Sequence, residues 1–321
     1  MKYNTFTSLF FILIIIAPQA VLSKDLRNPN YGFSGNLQGG VFFIQTDSQL
    51  LATDSDSINS TLDGPAEKYD EISPIVSIYL NYQFESGTSV YVGNPLQVGE
   101  DLNLAAGVKQ PLGQSTLDVA VTWLPIKKVW KNPYQTASPR EKSDADVYGL
   151  RLKVLDFGGS PWEANYSIDQ IDIENDIIGD LENDLKRDGW VHELGVKYTL
   201  QLQKGVSLRP ELNYAYGDIE GPSNSYHGVN IGITLQKVLP SWVLIGQVSG
   251  FHNQYEKTHP LFAKTRQETG ISTFGQVMRQ NLFGVEELFA SFLVGYIWSD
   301  ANIDFFDSQT VVGLASVGIN F

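Results

Sequence analysis

The chain alternates apolar residues with polar or small ones in segment after segment, and this alternation limits the fold more than any other feature. Leu194, Val196, Tyr198, Leu200 and Leu202 enclose Gly195, Lys197, Thr199 and Gln201, and Val229, Ile231, Ile233 and Leu235 enclose Asn230, Gly232 and Thr234. Successive side chains of a strand point to opposite faces, so a period of two predicts strands with one apolar and one polar face. Segments of roughly ten residues continue in this way to the end of the chain and predict an all-β protein.

The connections between these segments alternate in length. Short connections lie near 85–87, 113–114, 158–160, 204–205, 239–241 and 283–284, long ones near 46–71, 125–144, 169–188 and 253–269, and medium ones near 94–101, 217–225 and 299–309. Short turns at one end and long loops at the other are typical of outer-membrane barrels. We therefore predict a transmembrane, antiparallel, up-and-down β-barrel of about fourteen strands with both termini on the periplasmic side.

Twelve or sixteen strands are the alternatives, because segment 88–94 is short and segments 242–251 and 270–282 alternate less clearly. The mean hydropathy of −0.13 fits a barrel, in which only alternate residues face lipid. Aromatic residues gather near the segment ends, where they would form interfacial girdles: Tyr79, Tyr82, Trp123, Trp162, Tyr166, Trp190, Tyr214, Tyr216, Trp242, Tyr296 and Trp298.

The first residues have the pattern of a signal peptide. Lys2 precedes an apolar run at residues 9–17, which Pro18 ends. The run is shorter than the roughly 20 apolar residues of a membrane-spanning helix. We expect cleavage after Ser23, so residues 1–23 are the signal peptide and residues 24–321 form the barrel, located in the bacterial outer membrane.

The last residues and the charge indicate partners. Phe321 ends an alternating segment, as in the recognition signal of the outer-membrane assembly machinery, which we expect to bind this strand. Outer-membrane lipid and lipopolysaccharide are the other expected partners. A net charge of −14 argues against nucleic-acid binding, and the absence of cysteine excludes disulfides.

The polar positions of the alternation are the candidates for a pore lining. The inward-pointing candidates are Arg151, Lys153, Glu193, Lys197, Arg209, Glu211, Asn213 and Gln247. A barrel of about eight strands is filled by its own side chains, whereas one of sixteen encloses a channel. Fourteen strands predict a narrow, porin-like pore for small polar or anionic solutes, with the arginines and lysines as a cationic wall. Alternatively, these charges pair with one another and the barrel is structural or binds a surface partner.

An outer-membrane hydrolase is the third alternative, and the sequence predicts no enzyme, cofactor or metal. None of the four histidines has a serine two residues further on; His252 and His259 remain as the least unsuitable bases. Residues 169–188 are rich in Asp and Glu but lack the spacing of a calcium-binding loop, which favours a solvated surface loop.

Two segments in the last third of the chain resemble a known family. They are residues 259–266 (HPLFAKTR) and 299–307 (SDANIDFFD). They are similar to segments of an uncharacterised family of porin-like outer-membrane proteins and, more distantly, to the C-terminal barrel of surface lipoprotein assembly modifiers. The resemblance implies a barrel fold and an outer-membrane location but no substrate. The chain lacks the helical repeat domain of the assembly modifiers.

Overall fold

The computed structural model describes residues 31–52, 61–94 and 103–321, and these residues form one continuous antiparallel sheet. The signal peptide expected at residues 1–23 lies outside the described residues. The strands are β1 (Gly32–Thr46), β2 (Tyr69–Gln83), β3 (Ser89–Gly93), β4 (Leu104–Leu112), β5 (Ser115–Trp130), β6 (Lys142–Leu155), β7 (Trp162–Ile173), β8 (Gly189–Tyr198), β9 (Leu200–Gln203), β10 (Val206–Ile219), β11 (Tyr226–Leu239), β12 (Trp242–His259), β13 (Lys264–Gln280), β14 (Leu288–Ala301) and β15 (Ser308–Asn320). One short helix, α1 (Ile177–Leu181), lies between β7 and β8.

The sheet closes on itself, because β1 pairs with β15 from Asn36–Asn320 to Thr46–Thr310. Both β8 and β9 pair with β10, so they are two parts of one barrel strand. The result is a closed barrel of fourteen strands, as the alternation predicted. Closure leaves no free sheet edge, which is what a backbone surrounded by lipid requires.

The turns at one end of the barrel are short, and glycine makes two of them possible. Gly113 and Gly205, with φ of 64° and 73°, occupy two-residue connections. This left-handed backbone conformation costs glycine little because it has no Cβ atom. The opposite end carries the long connections 47–68, 131–141 and 174–188.

The prediction of a long loop at 253–269 is wrong. Strand β12 continues to His259 and β13 begins at Lys264, so the connection is only 260–263. The ladder continues through Thr258–Thr265 after a register shift that follows Gln254. Both faces of these strand ends are polar or aromatic, which hides the period of two that identifies strands elsewhere. The loops expected at 125–144 and 169–188 are also shorter than predicted, because β5 continues to Trp130, β6 begins at Lys142 and β7 continues to Ile173.

The outward-facing side chains form an apolar surface. Val121, Leu150 and Ile231 are 59, 47 and 63% exposed, and their neighbours in sequence point inward. Soluble proteins rarely expose an apolar surface this extensive. An apolar exterior around a closed antiparallel barrel is the architecture of outer-membrane barrel proteins.

Among the described residues, no helix has the length and apolar character needed to cross a membrane.

Tyrosine and histidine side chains form an aromatic belt on the outer surface. The Tyr166 hydroxyl lies 2.8 Å from His192 Nδ1, and the Tyr214 hydroxyl lies 2.6 Å from His227 Nδ1. The ring of Tyr216 stacks on His227 with 4.9 Å between centroids. Rings with one polar atom suit the boundary between lipid and water, which agrees with the girdle predicted for Tyr166, Tyr214 and Tyr216. The prediction is wrong for Tyr79, which faces inward and packs against Tyr91.

Candidate functional site

The inner face of the barrel has two chemically different halves. The apolar wall is formed by β12–β15 and β1 and consists of Phe42, Ile44, Val243, Ile245, Phe274, Met278, Phe289, Ile297, Val312 and Leu314. The polar wall, on β3–β11, carries the inward-facing charges and amides of the central strands. The inner face is therefore mainly charged and amide-bearing on one side, and on the other it is mainly hydrocarbon with a few uncharged polar side chains, among them Gln38, Gln276 and Ser291.

All eight residues chosen from the sequence lie on the inner face. Arg151, Lys153, Glu193, Lys197, Arg209, Glu211, Asn213 and Gln247 are each between 2 and 9% exposed. They come from β6, β8, β10 and β12, so the first seven belong to the polar wall and Gln247 lies where the two walls meet. Their role as a pore lining stays a prediction.

The strand register places carboxylates beside the predicted cationic residues. Asp118 lies opposite Lys153, and Lys197 lies between Glu163 and Glu211. Arg151 Nη2 donates to the Tyr91 hydroxyl at 3.1 Å, and that hydroxyl donates to Asp118 Oδ1 at 2.7 Å. The polar wall is thus an alternation of charges rather than a surface of one sign.

Sequence reasoning did not single out Asp118, Glu163 or Tyr91. Asp118 lies at a polar position of the alternation, between Leu117 and Val119, so the sequence predicts that its side chain points inward. Its neighbour Lys153 is on another strand, and that pairing depends on the register.

Two glycines leave room for polar side chains of the adjacent strands to lie over the strand that contains the glycine. A Cβ atom on Gly195 of β8 would lie 2.5 Å from the Oδ1 atom of Asn165, and Asn213 crowds it from the other side. A Cβ atom on Gly232 of β11 would lie 2.9 Å from Glu211 Cγ. The Glu211 carboxylate accordingly reaches over β11, and Gln247 Nε2 of β12 donates to its Oε1 at 3.3 Å. These close approaches explain why glycine interrupts the polar wall at both points.

Several polar atoms at this place have no hydrogen-bond partner within the described part of the chain. They are Glu211 Oε2, Asn213 Oδ1 and Nδ2, Thr234 Oγ1, Gln247 Oε1 and Asn165 Oδ1. Their side chains are at most 8% exposed. Because buried polar groups are almost always hydrogen-bonded, these atoms are exceptions within the polar wall.

On the apolar wall, phenyl rings lie flat over glycines of the next strand. Phe274 covers Gly295, and Phe289 covers Gly318. A side chain at either glycine would overlap the ring. The side chains of Phe274 and Phe289 are 8 and 5% exposed, so both rings are packed within the apolar wall.

The first loop folds inward and narrows one end of the barrel. Leu51 forms an isolated β-bridge with Val129 and packs on the apolar wall. Trp130 Nε1 donates to the Leu51 carbonyl at 3.1 Å, and Arg140 Nη1 donates to the Gln49 carbonyl at 3.0 Å. Burial lowers the pKa of Arg140 to about 10, so this side chain is still charged at neutral pH. These contacts join the end of β1 to the end of β5, four strands away.

Above this constriction, the longer connections pack into a loop cap, which we define as Tyr134, Ile178, Leu185, Ile303, Phe305 and Phe306. Leu185 and Phe305 are completely buried. The Tyr134 ring lies 5.0 Å from the ring of Phe305. The 169–188 segment is therefore not only a solvated acidic surface: it supplies two of the apolar side chains of the cap. Within the described residues, no three His, Cys, Asp or Glu side chains are grouped as metal ligands.

The two histidines considered for a hydrolase have structural contacts. His252 is on the outer surface, where its Nδ1 lies 3.0 Å from the Thr269 hydroxyl. His259 is buried below the cap, its Nε2 lies 3.0 Å from the Tyr134 hydroxyl, and its Nδ1 accepts the Leu261 N–H at 3.3 Å. Both ring nitrogens of His259 are thus engaged. Neither contact is with a serine.

Low pH should destabilise the loop cap by protonating His259. Burial, with a smaller contribution from Arg266, lowers the pKa of His259 from 6.5 to about 4. Burial raises the pKa of the adjacent Tyr134 to about 12, so this phenol stays neutral. Protonation of His259 therefore favours the open cap. We expect its stability to be complete above pH 6.5 and to fall as the pH drops toward 4, by at most about 3 kcal/mol.

Limited proteolysis of the 131–141 connection, normalised at each pH to cleavage of an unstructured peptide, measures this effect. The variant H259Q should show a flat profile, whereas H252Q, altered on the outer surface, should keep the wild-type profile. An unchanged pH dependence in H259Q would show that another group controls the cap.

Solved structures of outer-membrane proteins are similar to this chain at a low level. Solved structures similar to this chain include the outer-membrane protein OmpT of Vibrio cholerae, with 12% identity, a TM-score of 0.44 and coverage of 90% of this chain and 97% of that chain. A FadL homologue of Pseudomonas aeruginosa has 9% identity, a TM-score of 0.41 and coverage of 90% of each chain. An anion-selective porin from Comamonas acidovorans has 9% identity, a TM-score of 0.40 and coverage of 90% of this chain and 98% of that chain. Likeness at this level carries no argument about solute.

A comparison with curated protein sequences finds no match. The more distant resemblance to surface lipoprotein assembly modifiers stays a prediction. A family model described as "Protein of unknown function (DUF2860)" matches residues 32–321, from the first strand to the last residue. The match covers all the strands of the barrel, and the chain belongs to this family.

Proposed function

We propose that this protein is a porin-like channel of the outer membrane through which small polar or anionic solutes diffuse passively. The observation that carries the proposal is the distribution of charge: the arginines, lysines and carboxylates of the central strands face inward, while the outer surface is apolar. A polar interior within an apolar exterior is the arrangement of barrels that conduct water and solutes. Lipid and lipopolysaccharide would surround the barrel, and the β15 strand with Phe321 would be read by the assembly machinery.

The charge arrangement should limit any preference for anions to a weak one. The cations Lys153 and Lys197 face the carboxylates Asp118, Glu163 and Glu211 at neighbouring positions. Fields of opposite sign at such short range largely cancel for a passing ion. Anion preference should therefore be sensitive to the removal of only a few cations.

Single-channel recording of residues 24–321, refolded into a planar bilayer, tests the proposal. Wild type should show discrete steps with slight anion preference. The double variant K153Q/R209Q leaves the carboxylates in excess, so its reversal potential in a salt gradient should shift toward cation preference. The control K237Q/R279Q removes two charges at outward-facing positions near the short turns and should not change selectivity. A folded barrel that never conducts would contradict the proposal.

A non-conducting barrel that binds a surface partner is the second candidate. The observation in its favour is that the loop cap and the inward first loop fill one end of the barrel. In that case the exposed parts of the long loops would be the binding surface. The two candidates differ in whether weakening the cap produces a conducting pore.

A further inference from the structure

The inward-facing charges of the strands are distributed unevenly along the barrel axis. We call the part of each strand next to the short turns the turn half. Its charged inner side chains are Lys109, Arg151, Lys153, Lys197 and Arg209, together with Asp118, Glu163 and Glu211. Lys109 and Glu163 face inward because the register places them opposite Asp118 and Lys197, which are buried on the inner face. Cations outnumber carboxylates here, so the turn half of the inner face is positive.

The other part of each strand, which we call the loop half, carries carboxylates on its inner face. They are Glu71, Asp169, Glu193 and Glu268. Glu71 lies opposite Ile44 of the apolar wall, and Asp169 lies opposite Val191, which is buried on the inner face. Glu193 is itself buried. The loop half of the inner face is therefore negative.

Ion pairing does not remove the difference between the two halves. In the loop half, Arg266 Nε lies 3.4 Å from Glu268 Oε1, and this pair has no net charge. Any other pairing of a cation with a carboxylate inside one half likewise leaves the excess charge of that half unchanged. The difference between the halves thus depends on where the charges lie and not on which of them are paired.

The connections strengthen the negative end of the barrel. Asp304, Asp307 and the acidic 174–188 connection lie at the same end as the loop half. The short turns at the opposite end also contain carboxylates, but these are exposed, so water and salt screen their charge. They are Glu85, Asp156, Glu286 and Glu287.

Such a difference acts on ions without contact, because the field of a charge held in a low-dielectric wall extends into the lumen. When the loop end is electrically positive, cations enter through the negative half and anions enter through the positive half. Both kinds of ion then accumulate where the halves meet, and conductance rises. When the polarity is reversed, each half repels the ions that enter through it, and the lumen is depleted of carriers.

We propose that the channel rectifies, passing more current when the loop end of the barrel is positive than when it is negative. This inference rests on the proposed channel function and adds the polarity of the membrane voltage as a control of conduction. Its basis is the separation of the inner charges along the axis, with the carboxylates toward the loops and the cations toward the short turns.

Single-channel currents of residues 24–321 at about 100 mV of either sign, in symmetric KCl, test the proposal. The larger current should exceed the smaller by at least about 1.5-fold in roughly 0.1 M KCl. In roughly 1 M KCl the ratio should approach one, because the Debye length falls from about 10 Å to about 3 Å. Orientation is read from S138C, an exposed position of the 131–141 connection. A thiol-reactive polymer should reduce its current only from the loop side, since the natural chain has no cysteine.

Two double variants separate charge position from total charge. D169N/E193Q removes carboxylates from the loop half and should shift ion selectivity toward anions, whereas K153Q/R209Q removes cations from the turn half and should shift it toward cations. Both should nevertheless bring the current ratio closer to one, because each weakens the difference between the halves. The control E286Q/E287Q removes two exposed carboxylates of a short turn and should keep the wild-type ratio.

The salt dependence of wild type needs no variant, so the proposal stays testable if a double variant does not fold. Conduction with equal currents at low salt, with the larger current at the opposite polarity, or with a ratio that persists at high salt would overturn the rectification and leave the channel standing. A folded barrel that never conducts would contradict the channel and the rectification together.

Discussion

The variant F305A should open the loop cap and increase both the frequency and the size of conductance steps. Phe305 is completely buried and contacts Tyr134, Phe262 and Phe306. Truncating a buried phenylalanine costs about 3–5 kcal/mol through lost transfer free energy and the cavity that remains. Because the cap is a small cluster held by loops, a loss of this size should shift it from mostly closed to mostly open. Single-channel recording, with limited proteolysis of the 131–141 connection, measures the change.

The matched control is F283A, in the short connection at the opposite end of the barrel, where the phenylalanine is 92% exposed. This variant should behave as wild type in both measurements. Increased proteolysis in F305A without any conductance would mean that the cap opens on a closed interior, which favours the non-conducting barrel. Unchanged proteolysis would show that Phe305 does not hold the cap together.

The second large effect is expected at the lipid-facing surface. Leu150 lies within β6 and is 47% exposed on the outer face. An arginine facing lipid near the midplane should lower the free energy of unfolding by about 2–4 kcal/mol, because its charge loses hydration. Urea titration of L150R in lipid vesicles, followed by tryptophan fluorescence, measures the loss.

The matched control for this substitution is L202R. Leu202 is also outward-facing, 57% exposed, but lies next to the 204–205 turn. At this depth the same charge should cost only about 0–1 kcal/mol, because the side chain reaches water. Equal losses in the two variants would mean that the membrane does not lie across the middle of the strands.

The sequence predicted the barrel and its inward face because both depend on a local period. In β6, Leu150 and Arg151 are assigned to opposite faces by their order alone, and the structure agrees. The strand count followed from the same pattern, even for the five-residue β3. Alternation failed at strand ends, most extensively where both faces become polar or aromatic, at the ends of β12 and β13.

The contact between Gln247 and Glu211 and the packing of the cap could not be predicted from the sequence, for a different reason. Gln247 meets Glu211 only because Gly232, on the strand between them, has no side chain, and this depends on the register of three strands. His259 and Tyr134 are separated by 125 positions in the chain and come into contact because the end of β12 packs against the 131–141 connection. The periodicity of the sequence contains no information about such contacts, which depend on closure of the sheet and on loop packing.

The joint between β1 and β15 differs from every other joint in the barrel. Elsewhere in the barrel, paired strands follow one another in sequence and are linked by one connection, so each hairpin can form early and locally. In the β1–β15 joint, by contrast, Gly35 and Phe321 exchange backbone hydrogen bonds although they are far apart in the sequence. Bringing those ends together costs the most chain entropy, so this joint should form last. Until it forms, two strand edges remain whose amide groups lipid cannot satisfy. Closure of the barrel should therefore be effectively irreversible in the membrane. Once β1 has paired with β15, leaving the bilayer requires breaking backbone hydrogen bonds where no water is present to replace them.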